Sequence, residues 1–134
     1  MTTILVIEDQ APLRDNLLEL LIEEGFDAVG FERGYAGMTW ARDNIPDVII
    51  CDIMMPDLDG YNVLSELNRY PEMATVSFIF LTAKADRDSK SEGMELGADV
   101  YITKPFRPGE VLKAIADCLE KQSTIKQALK LSGY

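Results

Sequence analysis

Histidine is absent from the 134 residues of the chain, so histidine catalysis and histidine ligation of a metal are excluded. Cysteine is scarce: Cys51 stands in an apolar run and Cys118 in a helical pattern. Two such cysteines are more often small core residues than a disulfide or a metal pair. Positive charge is scarce as well, with 13 Lys and Arg against 23 Asp and Glu and a formal charge of -10. Such a surface repels a phosphate backbone, so we expect no direct binding to nucleic acid.

Long apolar runs are missing too. None approaches the roughly 20 residues that span a bilayer, and the residues before the first strand lack the basic and apolar regions of a signal peptide. We therefore expect a cytosolic chain without a membrane segment. With 47% hydrophobic residues, the chain is long enough for one compact domain with a single core.

Short apolar runs alternate with helical patterns along the chain. Strands are predicted over residues 4–7, 27–31, 48–51, 76–81 and 99–103. Helices are predicted over about 13–22, 35–42, 61–70 and 88–96, and a last helix begins near Pro108. This alternation predicts an α/β fold, with a doubly wound five-stranded parallel sheet and helices on both faces. The flavodoxin-like strand order 2-1-3-4-5 is common for such a (βα)5 sheet.

The last helix has an ambiguous end. Residues with spacings of four and three continue along it: Val111, Ile115, Cys118, Gln122, Ile125 and Leu129. Only about two to three heptads are present, fewer than a clear coiled-coil pattern shows. We expect the helix to fray after Gln122, and a dimerising stalk or linker is the alternative. The domain prediction is one domain over residues 1–122 and a helical extension or linker over 123–134.

Carboxylates stand where two of the predicted strands end. Glu8 and Asp9 follow the first strand, and Asp52 follows the third. In a parallel sheet the ligand site lies beyond the carboxyl ends of the strands, and the expected order makes these two strands neighbours. Three clustered carboxylates repel one another unless a cation joins them, and hard oxygen ligands suit Mg²⁺ better than zinc or iron.

A hydroxyl and an ammonium complete this edge of the sheet. Thr82 ends the fourth strand, and Lys104 follows the fifth. Asp52 is the candidate nucleophile, because a carboxylate can accept a phosphoryl group as an aspartyl-phosphate. Thr82 can donate a hydrogen bond to a phosphoryl oxygen, and Lys104 can neutralise charge on the transferring group.

Each residue also has a purely structural interpretation. Glu8 and Asp9 before a helix can be caps near the positive end of the helix dipole. Thr82 and Lys104, taken singly, are more typical of a cap hydroxyl and a solvated cation, and Asp52 of a turn at a strand end. The joint placement favours the phosphoryl site. Two further acidic residues are interpreted as turn formers, Asp57 and Asp59.

The chain resembles the receiver domain of two-component response regulators over about residues 3–122. The resemblance rests on residues with the family's order and intervals: Glu8-Asp9, Asp52, Thr82 and Lys104-Pro105. It implies a regulatory phosphoacceptor that assists its own phosphorylation and dephosphorylation rather than an ordinary enzyme. The phosphoryl donor would be the phosphohistidine of a sensor histidine kinase or a phosphotransfer protein.

The resemblance also implies roles for the site residues. Asp9 and Asp52 would ligate Mg²⁺ together with the backbone carbonyl of Met54, and Glu8 would help through water. Thr82 would be the switch hydroxyl, and Lys104 would pair with the phosphate. The family further implies a cis peptide bond between Lys104 and Pro105, where a cis bond is a minority state that a fold must impose.

Activation in the family couples the threonine to an aromatic residue on the fifth strand, a position held here by Tyr101. Phosphate capture by Thr82 would let Tyr101 move inward and remodel the surface of the fourth helix, the fifth strand and the fifth helix. A half-buried strand aromatic is the simpler interpretation of Tyr101. The implied partners are a downstream output protein or domain, and a homodimer through this surface or the last helix.

Two rival classes of protein need residues that this chain lacks. A dinucleotide-binding protein needs a glycine-rich turn after the first strand, where this chain has Glu8-Asp9-Gln10. A haloacid-dehalogenase-type phosphatase needs a general acid aspartate two residues beyond the nucleophile, where this chain has Met54. The remaining alternative is a phosphorylation-independent interaction module on the same fold.

Overall fold

A computed structural model of the chain describes residues 1–83 and 94–131. Among these residues, strands, helices and a short 3-10 helix precede a long C-terminal helix. Their bounds are β1 (Thr3–Ile7), α1 (Ala11–Glu23), β2 (Asp27–Phe31), α2 (Gly34–Asn44), β3 (Val48–Asp52), α3 (Gly60–Leu67), the 3-10 helix (Pro71–Met73), β4 (Ser77–Thr82), β5 (Val100–Thr103) and the C-terminal helix (Pro108–Leu131). Of the helix predicted over residues 88–96, residues 88–93 lie outside the described part of the chain.

The sheet is parallel, and its strand order is β2-β1-β3-β4-β5. The predicted fold class and strand order are therefore confirmed. Ile7 at the end of β1 pairs with Cys51 of β3. Because Glu8 and Asp52 are the next residues along these two strands, the register brings them side by side.

The core consists of two layers, one on each face of the sheet. Successive residues of a strand point to opposite faces. In β1, Leu5 and Ile7 pack into the layer beneath α2 and α3, whereas Ile4 and Val6 pack into the layer beneath α1 and the C-terminal helix. All four side chains are fully buried. The near-continuous apolar runs of the sequence therefore reflect strands covered on both faces.

The apolar face of α1 is narrow. The fully buried positions of α1 are Leu17 and Leu21. Ile22, an apolar residue next to Leu21, is 58% exposed. The helix ends before Gly25, and the positive φ of +92° at Gly25 is a conformation that glycine adopts without strain.

The C-terminal helix continues to Leu131, so the expectation that it frays after Gln122 is wrong. Its buried positions pack on the protein's own sheet as far as Gln122, the last of the set Val111, Ile115, Cys118 and Gln122. Ile125 beyond them is 43% exposed. As far as Gln122, the heptad-like spacing therefore reflects packing of the helix on the protein's own sheet. The division into residues 1–122 and 123–134 stays a prediction.

We call the border where the strands begin the amino edge of the sheet. Here the Nε2 group of Gln122 donates hydrogen bonds of 2.7 Å to the carbonyl oxygen of Asp47 and of 2.7 Å to the Oγ of Ser77. The Asp47 carboxylate in turn accepts a 2.8 Å bond from the backbone N–H of Thr3. These bonds fix the C-terminal helix to the start of the sheet.

A cavity of about 270 Å³ lies at the same amino edge, with Leu67, Phe78 and Gln122 among its lining residues. It is far from the strand ends that carry the predicted site. In the described part of the chain, no helix is long and apolar enough to cross a membrane.

Candidate functional site

The opposite border, where the strands end, we call the carboxyl edge. β1 ends at Ile7, just before Glu8, and β3 ends at Asp52 itself. β4 ends at Thr82, and the residue after β5 is Lys104. The parallel topology therefore places the predicted site residues together at the carboxyl edge.

Three carboxylates meet there. Glu8, Asp9 and Asp52 each offer an oxygen, and these oxygens all lie within 4.8 Å of one another. Glu8 is fully buried, Asp52 is 5% exposed, and Asp9 is exposed to solvent. A set of three oxygen donors with one side open to water fits a hard divalent cation.

The ammonium of Lys104 bridges two of these carboxylates. Its Nζ lies 2.7 Å from Glu8 Oε1 and 3.0 Å from Asp52 Oδ2. Burial acts to lower the pKa of Lys104, but its hydrogen bonds to Glu8 and Asp52 outweigh this effect and raise the pKa above its ordinary value. Lys104 is therefore a fixed positive charge at the site.

The backbone around Lys104 positions its side chain. The Lys104 N–H donates a 2.7 Å hydrogen bond to the carbonyl oxygen of Thr82. The bond between Lys104 and Pro105 is cis, as the family resemblance implied.

Glu8 carries an unusual charge state for a glutamate. Burial raises its pKa to about 7, and the charge of Asp52 and a side-chain hydrogen bond with Asp9 add to this effect, whereas hydrogen bonds from Lys104 and from the backbone N–H of Gln10 oppose it. Without a cation, part of the Glu8 population is therefore protonated near neutral pH. A divalent cation at the three carboxylates would favour the ionised form.

Asp52 is oriented by the loop that follows it. Its Oδ1 accepts a hydrogen bond of 3.3 Å from the backbone N–H of Met54, and its Oδ2 faces Lys104. At the end of the loop, the N–H of Gly60 donates a 2.9 Å bond to the carbonyl oxygen of Ile53. A Cβ atom at Gly60 would lie 2.6 Å from the carbonyl oxygen of Asp52, so a residue without a side chain is required for this close approach.

Thr82 and Tyr101 lie on the same face of the sheet. Phe80 pairs with Tyr101 in the β4–β5 ladder, and Thr82 follows Phe80 by two residues. Thr82 is fully buried, and Tyr101 is half-buried and packs edge-on against the Phe80 ring at 6.3 Å between centroids. Both predicted switch residues therefore lie on the face covered by α2 and α3.

Two acidic loop residues do more than form a turn. Asp59 is the N-cap of α3, and its Oδ1 accepts a 2.8 Å bond from the N–H of Asn62. Asp57 reaches a different helix: its two carboxylate oxygens accept 3.0 Å bonds from the N–H groups of Gly34 and Tyr35 at the start of α2. Slight burial acts to raise the pKa of Asp57, but these hydrogen bonds hold it below its ordinary value.

Sequence interpretation missed this second contact. Gly34 and Asp57 are 23 positions apart, so no local pattern links them. The only available signal was the lack of a capping side chain at α2 itself, where Arg33 occupies the N-cap position.

Comparisons with known proteins agree with this geometry. A family model described as the response regulator receiver domain matches residues 4–116. The transcriptional regulatory protein CreB of Escherichia coli is 35% identical over 98% of this chain and 58% of its own length. The phosphate regulon transcriptional regulatory protein PhoB of Pseudomonas aeruginosa is 34% identical over 89% of this chain and 52% of its own length. The chain thus spans a little more than half the length of these relatives.

The fold also matches solved structures. A response regulator receiver domain from Clostridium thermocellum aligns with a TM-score of 0.86 and 27% identity, over 93% of this chain and 99% of that one.

Proposed function

The chain belongs to the family of response regulator receiver domains, and on this premise we propose that Asp52 is the phosphoacceptor of a two-component system. The observation that carries the proposal is the environment of Asp52. Its carboxylate lies between the Lys104 ammonium and the Met54 N–H, with Glu8 and Asp9 beside it. A sensor histidine kinase or a phosphotransfer protein is the proposed donor.

Phosphoryl transfer at this site needs little more than positioning and charge neutralisation. An Asp52 oxygen attacks phosphorus and forms a new P–O bond, while the bond from phosphorus to the donor breaks and its electron pair leaves with the donor. Lys104, 3.0 Å from Asp52 Oδ2, is placed to pair with an oxygen of the transferred group.

The proposed cofactor is Mg²⁺. Asp9, Asp52 and the backbone carbonyl of Met54 would hold the ion, and Glu8 would act through water. Bound there, the ion would neutralise the carboxylates and bind a phosphoryl oxygen. Support comes from the three carboxylate oxygens within 4.8 Å of one another, because three carboxylates carry more negative charge than the single Lys104 ammonium beside them can neutralise.

A conformational response is proposed for the β4–β5 side of the site. The phosphoryl group adds close to two negative charges and strong hydrogen-bond acceptors. We propose that it attracts the Thr82 hydroxyl and that Tyr101 moves toward the space Thr82 leaves. Their common face of the sheet and the contact of Tyr101 with Phe80 support this coupling. The surface around β5 and the C-terminal helix would then recruit an output protein or domain.

Intact-protein mass spectrometry tests the proposal. The protein is incubated with a small phosphodonor with and without Mg²⁺, beside Asp52→Asn and the matched control Asp47→Asn at the amino edge. We expect the wild-type protein and Asp47→Asn to gain one acid-labile phosphoryl group with Mg²⁺, and Asp52→Asn to gain none.

Two outcomes would contradict the proposal. A gain by Asp52→Asn under the same conditions would show that the acceptor is another residue. No gain by the folded wild-type protein with Mg²⁺ would favour the phosphorylation-independent interaction module.

A further inference from the structure

The loop between Asp52 and α3 is tied to the N-terminus of α2. The two oxygens of the Asp57 carboxylate accept hydrogen bonds of 3.0 Å each from the N–H groups of Gly34 and Tyr35. Free N–H groups at the start of a helix are favourable partners for a carboxylate, since the helix dipole adds to the hydrogen bonds. Asp57 therefore fastens the outer part of this loop to a second element of the fold.

A close backbone approach marks the same junction independently. A Cβ atom at Gly34 would lie 2.5 Å from the carbonyl oxygen of Leu58 and 3.2 Å from the Cε of Met55. Real Cβ atoms do not approach other atoms to 2.5 Å, so a side chain here would push the loop away from α2. The first turn of α2 and the loop are thus fitted to each other by shape as well as by charge.

The position of this loop reaches the phosphoacceptor through hydrogen bonds. Its N-terminal part carries Met54, whose N–H donates to Asp52 Oδ1 at 3.3 Å and whose carbonyl is a proposed ligand of Mg²⁺. Ile53 before it is fixed by its N–H bond of 3.1 Å to the carbonyl oxygen of Leu81 and by the bond it accepts from Gly60. With Ile53 fixed, a shift of the loop at Asp57 is taken up by the backbone between Met54 and Pro56, which includes the Met54 carbonyl.

We propose that Asp57 is a positioning residue for metal binding: by holding the loop against α2, it fixes the Met54 carbonyl and the orientation of the Asp52 carboxylate. Asp57 itself touches neither the metal nor the phosphoryl group. This inference rests on the proposed function of the site, which it deepens by assigning the geometry of the metal ligands to a contact outside the cluster.

Measurements of global stability and of Mg²⁺ affinity distinguish a positioning role of Asp57 from the role of an ordinary helix cap. Asp57 is exposed, and the N–H groups of Gly34 and Tyr35 can bind water when the carboxylate is removed. Loss of a cap lowers stability but does not alter a metal site in the protein that remains folded. Loss of a positioning contact weakens ligand binding in the folded protein, as removal of groups that orient metal ligands commonly does.

The test measures Mg²⁺ affinity directly, by isothermal titration calorimetry without a phosphodonor, and then the Mg²⁺ concentration that gives half-maximal phosphorylation. Asp57→Ala removes both hydrogen bonds, and Asp57→Asn keeps one acceptor oxygen. Gly34→Ala keeps the Asp57 side chain but displaces the loop, because the added Cβ atom on α2 pushes the loop away. Asp47→Ala is the matched control, because it also removes a carboxylate that accepts a backbone hydrogen bond, but at the amino edge.

We expect Asp57→Ala to raise both the dissociation constant for Mg²⁺ and the half-maximal concentration by on the order of tenfold. Asp57→Asn should give a smaller increase, Gly34→Ala an increase in the same direction, and Asp47→Ala no change beyond about twofold. At saturating Mg²⁺, each variant should still reach the phosphorylation extent of the wild-type protein. Urea unfolding confirms that each variant is folded at the assay temperature.

The outcomes distinguish this inference from the proposed function. If the wild-type protein binds Mg²⁺ and folded Asp57→Ala and Gly34→Ala bind it equally well, the positioning role is refuted and the proposed function stands. An equal loss of affinity in Asp47→Ala would also refute the role, since the effect would then be general destabilisation. If the wild-type protein neither binds Mg²⁺ nor gains a phosphoryl group, both proposals fail.

Discussion

Replacing Glu8 by Gln is expected to remove a pH-dependent penalty from the metal-free protein. Glu8 is fully buried beside Asp52, and burial raises its pKa from the ordinary value of 4.5 to about 7. An acid whose pKa is higher in the folded state than in the unfolded state binds its proton more tightly when folded. The stabilising contribution of Glu8 to the free energy of unfolding is therefore fully present below about pH 4.5, and it falls as the pH rises from there to about 7.

The size of the effect follows from the two pKa values. A change from 4.5 to about 7, at about 1.4 kcal/mol for each pH unit, corresponds to about 3 kcal/mol. Glutamine keeps the shape and one acceptor oxygen of the side chain but does not titrate. The free energy of unfolding of Glu8→Gln minus that of the wild-type protein should therefore rise by about 3 kcal/mol between pH 4.5 and pH 8.

Urea unfolding with a chelator present, repeated at pH steps across this range, provides the measurement. The fluorescence of Trp40, the single tryptophan, and circular dichroism report the transition. Glu66→Gln is the matched control, because it removes the same charge from an exposed ion pair with Arg69, where solvent limits the contribution to about 1 kcal/mol or less. A difference between Glu8→Gln and wild type that stays constant or narrows as the pH rises would refute the reasoning.

Two further predictions concern other parts of the fold. Gln122→Ala should lower the free energy of unfolding by about 1–3 kcal/mol, because it removes the hydrogen bonds to Asp47 and Ser77 at a buried position. Urea unfolding measures this loss, phosphorylation of Asp52 should be unchanged, and a stability loss near zero would show that water replaces the amide. Tyr101→Ala should still be phosphorylated but should lose the response of amide hydrogen exchange in β5 and the C-terminal helix. A fully retained exchange response would reject the switch role of Tyr101.

The strands and helices could be predicted from the sequence because their signal is local and repeated, and the strand order because 2-1-3-4-5 is common for such a sheet. Each buried strand reads as a short apolar run, and each helix shows its own periodicity between two runs. The parallel topology then places the residues that follow the strands at one edge. This is why Glu8, Asp52 and Lys104 could be grouped before any distance was known, and the structure shows them in contact. Their chemical roles stay predictions.

Features that depend on long-range packing could not be predicted in the same way. Ile22 stands next to the buried Leu21 in the apolar stretch of α1, yet it is 58% exposed. Gln122 is polar within an apolar spacing, and only the folded sheet supplies the Asp47 carbonyl and the Ser77 hydroxyl that bind it. Asp57 has the local signature of a turn, whereas its partners at Gly34 and Tyr35 belong to an earlier helix.

The separation of the two edges of the sheet has a consequence for how this protein can change. β3 has five residues and spans about 16 Å between the Asp47 end and Asp52. Effects of substitutions that far apart, with no shared partner, usually add. Substitutions at the Asp47 end and substitutions of the groups proposed to react with phosphate are therefore expected to have additive effects on stability. Substitutions at the carboxyl edge can change reactivity while the amino edge maintains the stability of the fold. A loss of stability at the amino edge can likewise be compensated there without a change in the chemistry at the carboxyl edge.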